Sequence, residues 1–170
     1  VSHACDYPPR VADCPTLTSP RVDVSGTSRE IDEQVQAVTA GEVGGNSASP
    51  ATAKSADQDA SGGVFALDRD RLAALDPDLI LTQSTCDVCA VEEATVRATL
   101  AERGLSADVV TIDPHSLSDV FAALDHLGGV LGREERATAV VENLRARVAV
   151  VEREAPADGP TVTVLDWLDP

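Results

Sequence analysis

Asp76-Pro77-Asp78-Leu79-Ile80-Leu81-Thr82-Gln83-Ser84-Thr85-Cys86-Asp87-Val88-Cys89-Ala90-Val91 is the stretch that decides the fold. Asp76-Pro77 closes what precedes it, because proline cannot continue a helix and also restricts the residue before it. Leu79-Ile80-Leu81 is a compact apolar run between turn signals, which predicts a strand buried on both faces. Polar and thiol residues follow. Val91 to Arg103 then reads as a helix, with Gly104 placed as its C′ residue. Val109-Val110-Thr111-Ile112 is the next strand, ended by Asp113-Pro114. Strand, helix and strand in this order predict an α/β fold with a mainly parallel sheet flanked by helices.

Working outward, Ser116 and Asp119 can cap a helix whose face is kept by Leu117, Val120, Phe121, Leu124, Leu127 and Leu131. Gly128, Gly129 and Gly132 weaken its end. A second helix runs from about Arg133 to Glu154 on the stripe Val140, Val141, Leu144, Val148 and Val151, approaching ~30 Å at about 1.5 Å per residue. Residues 155–160 break it, and Thr161 to Leu165 reads as a last strand. Upstream, Ile31, Val35 and Val38 mark an amphipathic helix starting at Ser28. Leu67, Leu72 and Leu75 suggest a short helix. Between these two lie residues 41–63, rich in Gly, Ser, Ala, Asp and Pro, which read as a flexible surface insertion because they offer too little apolar surface to offset chain entropy. Val1-Ser2 reads as the tail of a strand. Both ends look cut, so a signal or lipid-anchor segment would lie outside this stretch of sequence.

The chain of 170 residues is 43% hydrophobic but only 2% aromatic, so its core must be built from Ala, Val, Leu and Ile. No apolar run approaches the roughly 20 residues of a membrane-spanning helix. Acids outnumber bases 29 to 13, for a net charge of −16, and Lys54 is the sole lysine. Such a surface repels phosphate backbones, which argues against nucleic-acid binding. Acid excess together with lysine scarcity points to adaptation to high salt, where mobile ions screen carboxylate repulsion.

Reactive residues cluster after the expected strands. His3-Ala4-Cys5-Asp6-Tyr7 follows the first, Gln83-Ser84-Thr85-Cys86 the next, Asp113-Pro114-His115 the third, and Asp166-Trp167 the last. In an open parallel sheet the carboxyl ends share one edge, and ligands bind in the crevice there. Cys86-x-x-Cys89 is readable as half a zinc site, with His3 and Cys5 as the remaining ligands, as a redox pair, or as plain thiols or a disulfide; four cysteines admit three pairings. His115 fits a turn before a helix cap, and His126 a solvent-facing helix position. Tyr7 and Trp167, two of only four aromatics, suggest flat surfaces for an organic ligand. Nucleophile elbow, P-loop, dinucleotide fingerprint and H-E-x-x-H are all missing from the sequence, so no catalytic constellation supports an enzyme.

Residues 1–9 (Val-Ser-His-Ala-Cys-Asp-Tyr-Pro-Pro), 77–83 (Pro-Asp-Leu-Ile-Leu-Thr-Gln), 86–91 (Cys-Asp-Val-Cys-Ala-Val) and 165–170 (Leu-Asp-Trp-Leu-Asp-Pro) resemble the cobalamin-binding subgroup of helical-backbone substrate-binding proteins of ABC importers. That class serves vitamin B12, iron-siderophore and haem uptake. The resemblance implies a two-lobe protein with a truncated first lobe over 1–132, a long inter-lobe helix over 133–155, and the first strand of a second lobe over 160–170. It implies a non-enzymatic protein that holds a corrinoid, with cobalamin as ligand rather than catalytic cofactor. Ligand-binding candidates carried over by motif are His3, Cys5, Asp6, Tyr7, Gln83, Ser84, Cys86, Asp166 and Trp167. The implied partner is an ABC transporter permease, and the implied place is the extracytoplasmic face of the membrane, with a cytoplasmic corrinoid-handling role as the alternative. The subgroup usually has Glu where Ala4 stands. The competing expectations are a siderophore or haem binder on the same fold, and a metal or thiol-redox protein using His3, Cys5, Cys86 and Cys89.

Overall fold

The computed structural model describes residues 1–40, 63–85, 91, 93–156 and 158–164. In chain order they form a 3-10 turn (Pro9–Asp13), β1 (Thr18–Pro20), α1 (Ser28–Thr39), β2 (Phe65–Leu67), α2 (Arg69–Leu75), β3 (Leu79–Gln83), α3 (Glu93–Arg103), β4 (Asp108–Ile112), α4 (Leu117–Val130) and α5 (Glu134–Glu154). The protein is a mixed helix and strand fold, as expected at that level. Two compact units divide the described residues between Ile112 and Asp113. The boundary expected at 132/133 falls inside the second unit, between α4 and α5.

In the first unit β3 and β4 pair in parallel, with Leu79 opposite Asp108 and Gln83 opposite Ile112. The crossover between them is α3, whose buried face carries Thr95, Val96, Thr99 and Leu100. Val96 and Leu100 form a core cluster with Val91, and Ile80, Val109, Leu105 and Leu67 pack on it. α3 stops where Gly104 adopts φ +65°, a left-handed turn that costs glycine no Cβ clash. There the Leu105 N–H reaches the Leu100 carbonyl at 2.9 Å, and the Leu105 side chain joins the core around Leu100, a helix end of Schellman type. α2 ends instead on Asp76 at φ 42°, with Pro77 next.

A smaller antiparallel pair sits beside this layer. β1 pairs with β2 in the register Thr18–Leu67 and Pro20–Phe65. Phe65 packs on two cores at once, the one around α3 and a second made by Val22, Val38 and Val64. α1 opens on a capping box: the Thr27 hydroxyl oxygen accepts from the Glu30 N–H at 3.3 Å, and Glu30 accepts from the Thr27 N–H at 2.7 Å. α2 and α3 are linked by ion pairs, Arg69–Glu102 at 2.5 Å and Arg103–Asp70 at 2.8 Å.

In the second unit α4 and α5 pack as a helical pair. Ser116 caps α4, its hydroxyl oxygen accepting from the Asp119 N–H at 3.1 Å, as the sequence predicts. Phe121 and Val141 are the buried apolar contributions, and the Arg145 guanidinium lies 5.6 Å from the Phe121 ring centre.

Three expectations require correction. Leu79–Leu81 is not buried on both faces, since Leu81 is 47% exposed. Among the described residues α3 covers the face that carries Ile80 and Val109, and Leu81, one residue on, points to the opposite face, which no helix covers. Val1-Ser2 is not a strand; the Val1 amino group donates to the Pro15 carbonyl at 2.9 Å and the Val1 carbonyl accepts from the Leu17 N–H at 2.8 Å, without continuing into a ladder. Residues 161–164 form no strand either, and Val164 is 86% exposed. A β-branched run becomes a strand only when another strand satisfies its backbone, and none among the described residues does so here. Among the described residues the strands form one parallel and one antiparallel pair in place of a single, mainly parallel sheet. The insertion expected at 41–63 lies, but for Gly63, outside the described residues.

Candidate functional site

The parallel register places the carboxyl ends of β3 and β4 at one edge, with Gln83 opposite Ile112. The Ser84 N–H extends the ladder by donating to the Ile112 carbonyl at 3.1 Å. Gln83 and Ser84 are both exposed there. The stems around the segment that follows are tied down. The Thr82 hydroxyl donates to the Val91 carbonyl at 3.0 Å. Glu93, in the first turn of α3, accepts from the Thr111 hydroxyl of β4 and from Arg97 at 2.5 Å. The Thr111 hydroxyl, followed by Arg97, holds the Glu93 carboxyl below its ordinary value. Cys86 and Cys89, the thiols of that segment, lie outside the described residues, as do Asp166 and Trp167.

The first loop is held elsewhere, on β1 and β2. Thr18 Oγ1 accepts from the His3 N–H at 3.0 Å and lies 2.7 Å from His3 Nδ1 and 3.1 Å from Ser2 Oγ. The His3 ring packs against Phe65 at 4.9 Å between centres, tilted by 50°. Cys5, Asp6 and Tyr7 are exposed, Tyr7 at 84%. The structure therefore places His3 and its loop on β1 and β2, and Gln83 with Ser84 at the end of β3. Among the described residues no hydrogen bond or ion pair joins the two groups.

Cys5 is a free exposed thiol, and so is Cys14, at the end of the 3-10 turn. Among the described residues no three His, Cys, Asp or Glu side chains converge in a metal-binding group. Of the four residues of the zinc or redox alternative, only His3 and Cys5 are described. His115 takes the expected turn position: its N–H donates to Asp119 at 3.1 Å, and its Nε2 lies 3.2 Å from Asp113. His126 is exposed on α4, as predicted.

Sequence reasoning missed Thr18 and Phe65, the residues that orient His3. No local signal could have found them, because Thr18 lies 15 residues away and Phe65 beyond the insertion. Two open grooves, of about 460 and 480 Å³, lie apart from the expected site residues. The first is lined by Arg21, Asp23, Glu30, Glu33, Gln34 and Val38, the second by Asp13, Cys14, Thr16, Arg71 and Leu75. No helix among the described residues is long and apolar enough to cross a membrane. No family model matches the chain, and neither the curated proteins nor the solved structures include a significant match.

Proposed function

We propose that this chain belongs to a non-enzymatic solute-binding protein that captures a corrinoid, with cobalamin as its ligand, for an ABC importer at the extracytoplasmic face of the membrane. In this reading the described α/β part belongs to a first lobe, α5 is the long backbone helix, and the ligand lies against the loops that follow the strands. The observation that carries it is that Leu79–Gln83, inside a string like one shared across that class, forms β3, whose carboxyl end presents exposed Gln83 and Ser84 at the parallel edge. That edge is where open α/β sheets bind ligands. The exposed ring of Tyr7 and the packed ring of His3 add flat and nitrogen-bearing surface suited to a corrin. Capture needs no reacting group: a large rigid ligand loses little freedom on binding, so burial of its faces supplies the affinity.

Equilibrium dialysis of cobalamin against the full chain at high salt tests this, with a ferric siderophore and haem as competitors. Saturable corrinoid uptake resistant to both competitors is the expected result. Preferential uptake of the siderophore or haem, or no uptake of any of the three, overturns the corrinoid assignment.

A further inference from the structure

We propose that His3 donates Nε2 as an axial ligand to the cobalt of the bound corrinoid, an inference that rests on the function proposed above. An imidazole serves as a metal ligand when its second nitrogen is held, which fixes both tautomer and ring direction. His3 has that arrangement. Thr18 Oγ1 accepts from the His3 backbone N–H, and its 2.7 Å approach to Nδ1 is completed when Nδ1–H donates to it. The Thr18 hydroxyl is then left to donate to Ser2 Oγ at 3.1 Å, and Ser2 Oγ also accepts the Ala4 N–H at 3.3 Å. With Nδ1–H donating in this way, Nε2 is the nitrogen left free to bind.

Packing points the same way. Phe65 supports the ring at 4.9 Å and is itself wedged into two apolar clusters, so the support is rigid. The imidazole is exposed, and Nε2 has no hydrogen-bond partner among the described residues. A ring nitrogen that is oriented and open to solvent suits a trivalent cobalt that carries an exchangeable water. In the exchange the cobalt–water bond breaks, the water leaves with its electron pair, and the cobalt–Nε2 bond forms. Cobalt stays trivalent, and no electron moves.

The probe is aquocobalamin, with cyanocobalamin as the control whose cobalt position is already filled by a stronger ligand. The full chain is expected to shift the visible bands of aquocobalamin and leave those of cyanocobalamin unchanged. His3→Ala should abolish the shift, and Cys5→Ser should keep it. Thr18→Val should weaken aquocobalamin binding by about tenfold or more, as loss of an orienting partner does. Circular dichroism of each variant checks that helix content is intact. Corrinoid uptake without a band shift, a shift that survives His3→Ala, or one lost in Cys5→Ser overturns the axial role while leaving corrinoid capture standing. Failure to take up either corrinoid overturns both.

Discussion

Two neighbouring glycines in α4 separate close packing from mere weakness. A Cβ built on Gly128 would come 2.3 Å from the Cβ of Ala137 in α5, whereas one on Gly129 meets nothing within 4 Å. Position 128 is therefore where the two helices touch, and its lack of a side chain sets their separation. Gly128→Ala should destabilise the helical pair by about 1–3 kcal/mol, the usual cost of overpacking. Gly129→Ala should stabilise by about 0.5–1 kcal/mol, since alanine loses less backbone entropy in a helix. Thermal unfolding of both variants reads the contrast, and equal effects would contradict the crossing. Sequence alone groups these residues as weak points, because a glycine needed for close approach and one merely tolerated look identical without the facing helix. Asp76 is a comparable case: at φ 42° any β-carbon is strained, and an Asp there followed by Pro reads only as a stop signal.

Helix ends carry the clearest energetic signatures at the level of elements. Ser116→Ala removes the α4 cap and should cost about 1 kcal/mol, measurable as a lower midpoint in urea. Three carboxyls at such ends are held below their ordinary values, Glu30 by the Thr27 N–H, Asp119 by the Ser116 hydroxyl and Glu93 by the Thr111 hydroxyl, and so is Asp23, in the loop before α1, by the Ser25 hydroxyl. A group depressed by folding contributes stability above its unfolded value and loses it as pH falls through the folded one. The helix signal should thus be constant above the ordinary carboxylate range and decline below it, and Thr27→Val should shift that decline upward in pH. An acid titration by circular dichroism that is identical for both proteins would contradict the capping box. All five helices were legible because periodicity and caps are local: Ile31, Val35 and Val38 give α1, and Ser116 with Asp119 gives the start of α4. Strands were legible only where a partner exists. Leu79–Leu81 and Val109–Ile112 pair with each other, while Val162 and Val164 have the composition of a strand and remain exposed. β1 and β2 escaped notice: β1 is three residues ending in Pro20 with no alternation, and Leu67, expected in the short helix with Leu72 and Leu75, instead ends β2. The site was legible as a set of residue types after strands, but the contacts of His3 with Thr18 and Phe65 come from pairing distant in sequence.

Charge and a thin core act together over the whole molecule. The described apolar core is made mainly of valine and leucine, with Phe121 as its one buried aromatic. Many large apolar side chains remain exposed, including Leu117, Leu131, Val140 and Val151 along α4 and α5. Folding stability is a small difference between large terms, so the self-repulsion of a net charge of −16 weighs heavily against so modest a core. Screening acts on this term directly. The Debye length falls from about 10 Å at 0.1 M to about 3 Å at 1 M salt, which removes most repulsion between surface carboxylates on neighbouring elements. Raising sodium chloride across that range should lift the melting temperature by several degrees, about 2–4 °C for each kcal/mol recovered in a chain of this size. Because exposed ion pairs such as Arg97–Glu93 contribute little, their screening offsets only a small part of the gain. Electrostatic relief also saturates once the Debye length is shorter than the spacing between charges, so the curve should flatten near 1 M. A melting temperature independent of salt would mean that the carboxylates are too far apart to repel, and the case for adaptation to high salt would fall with it.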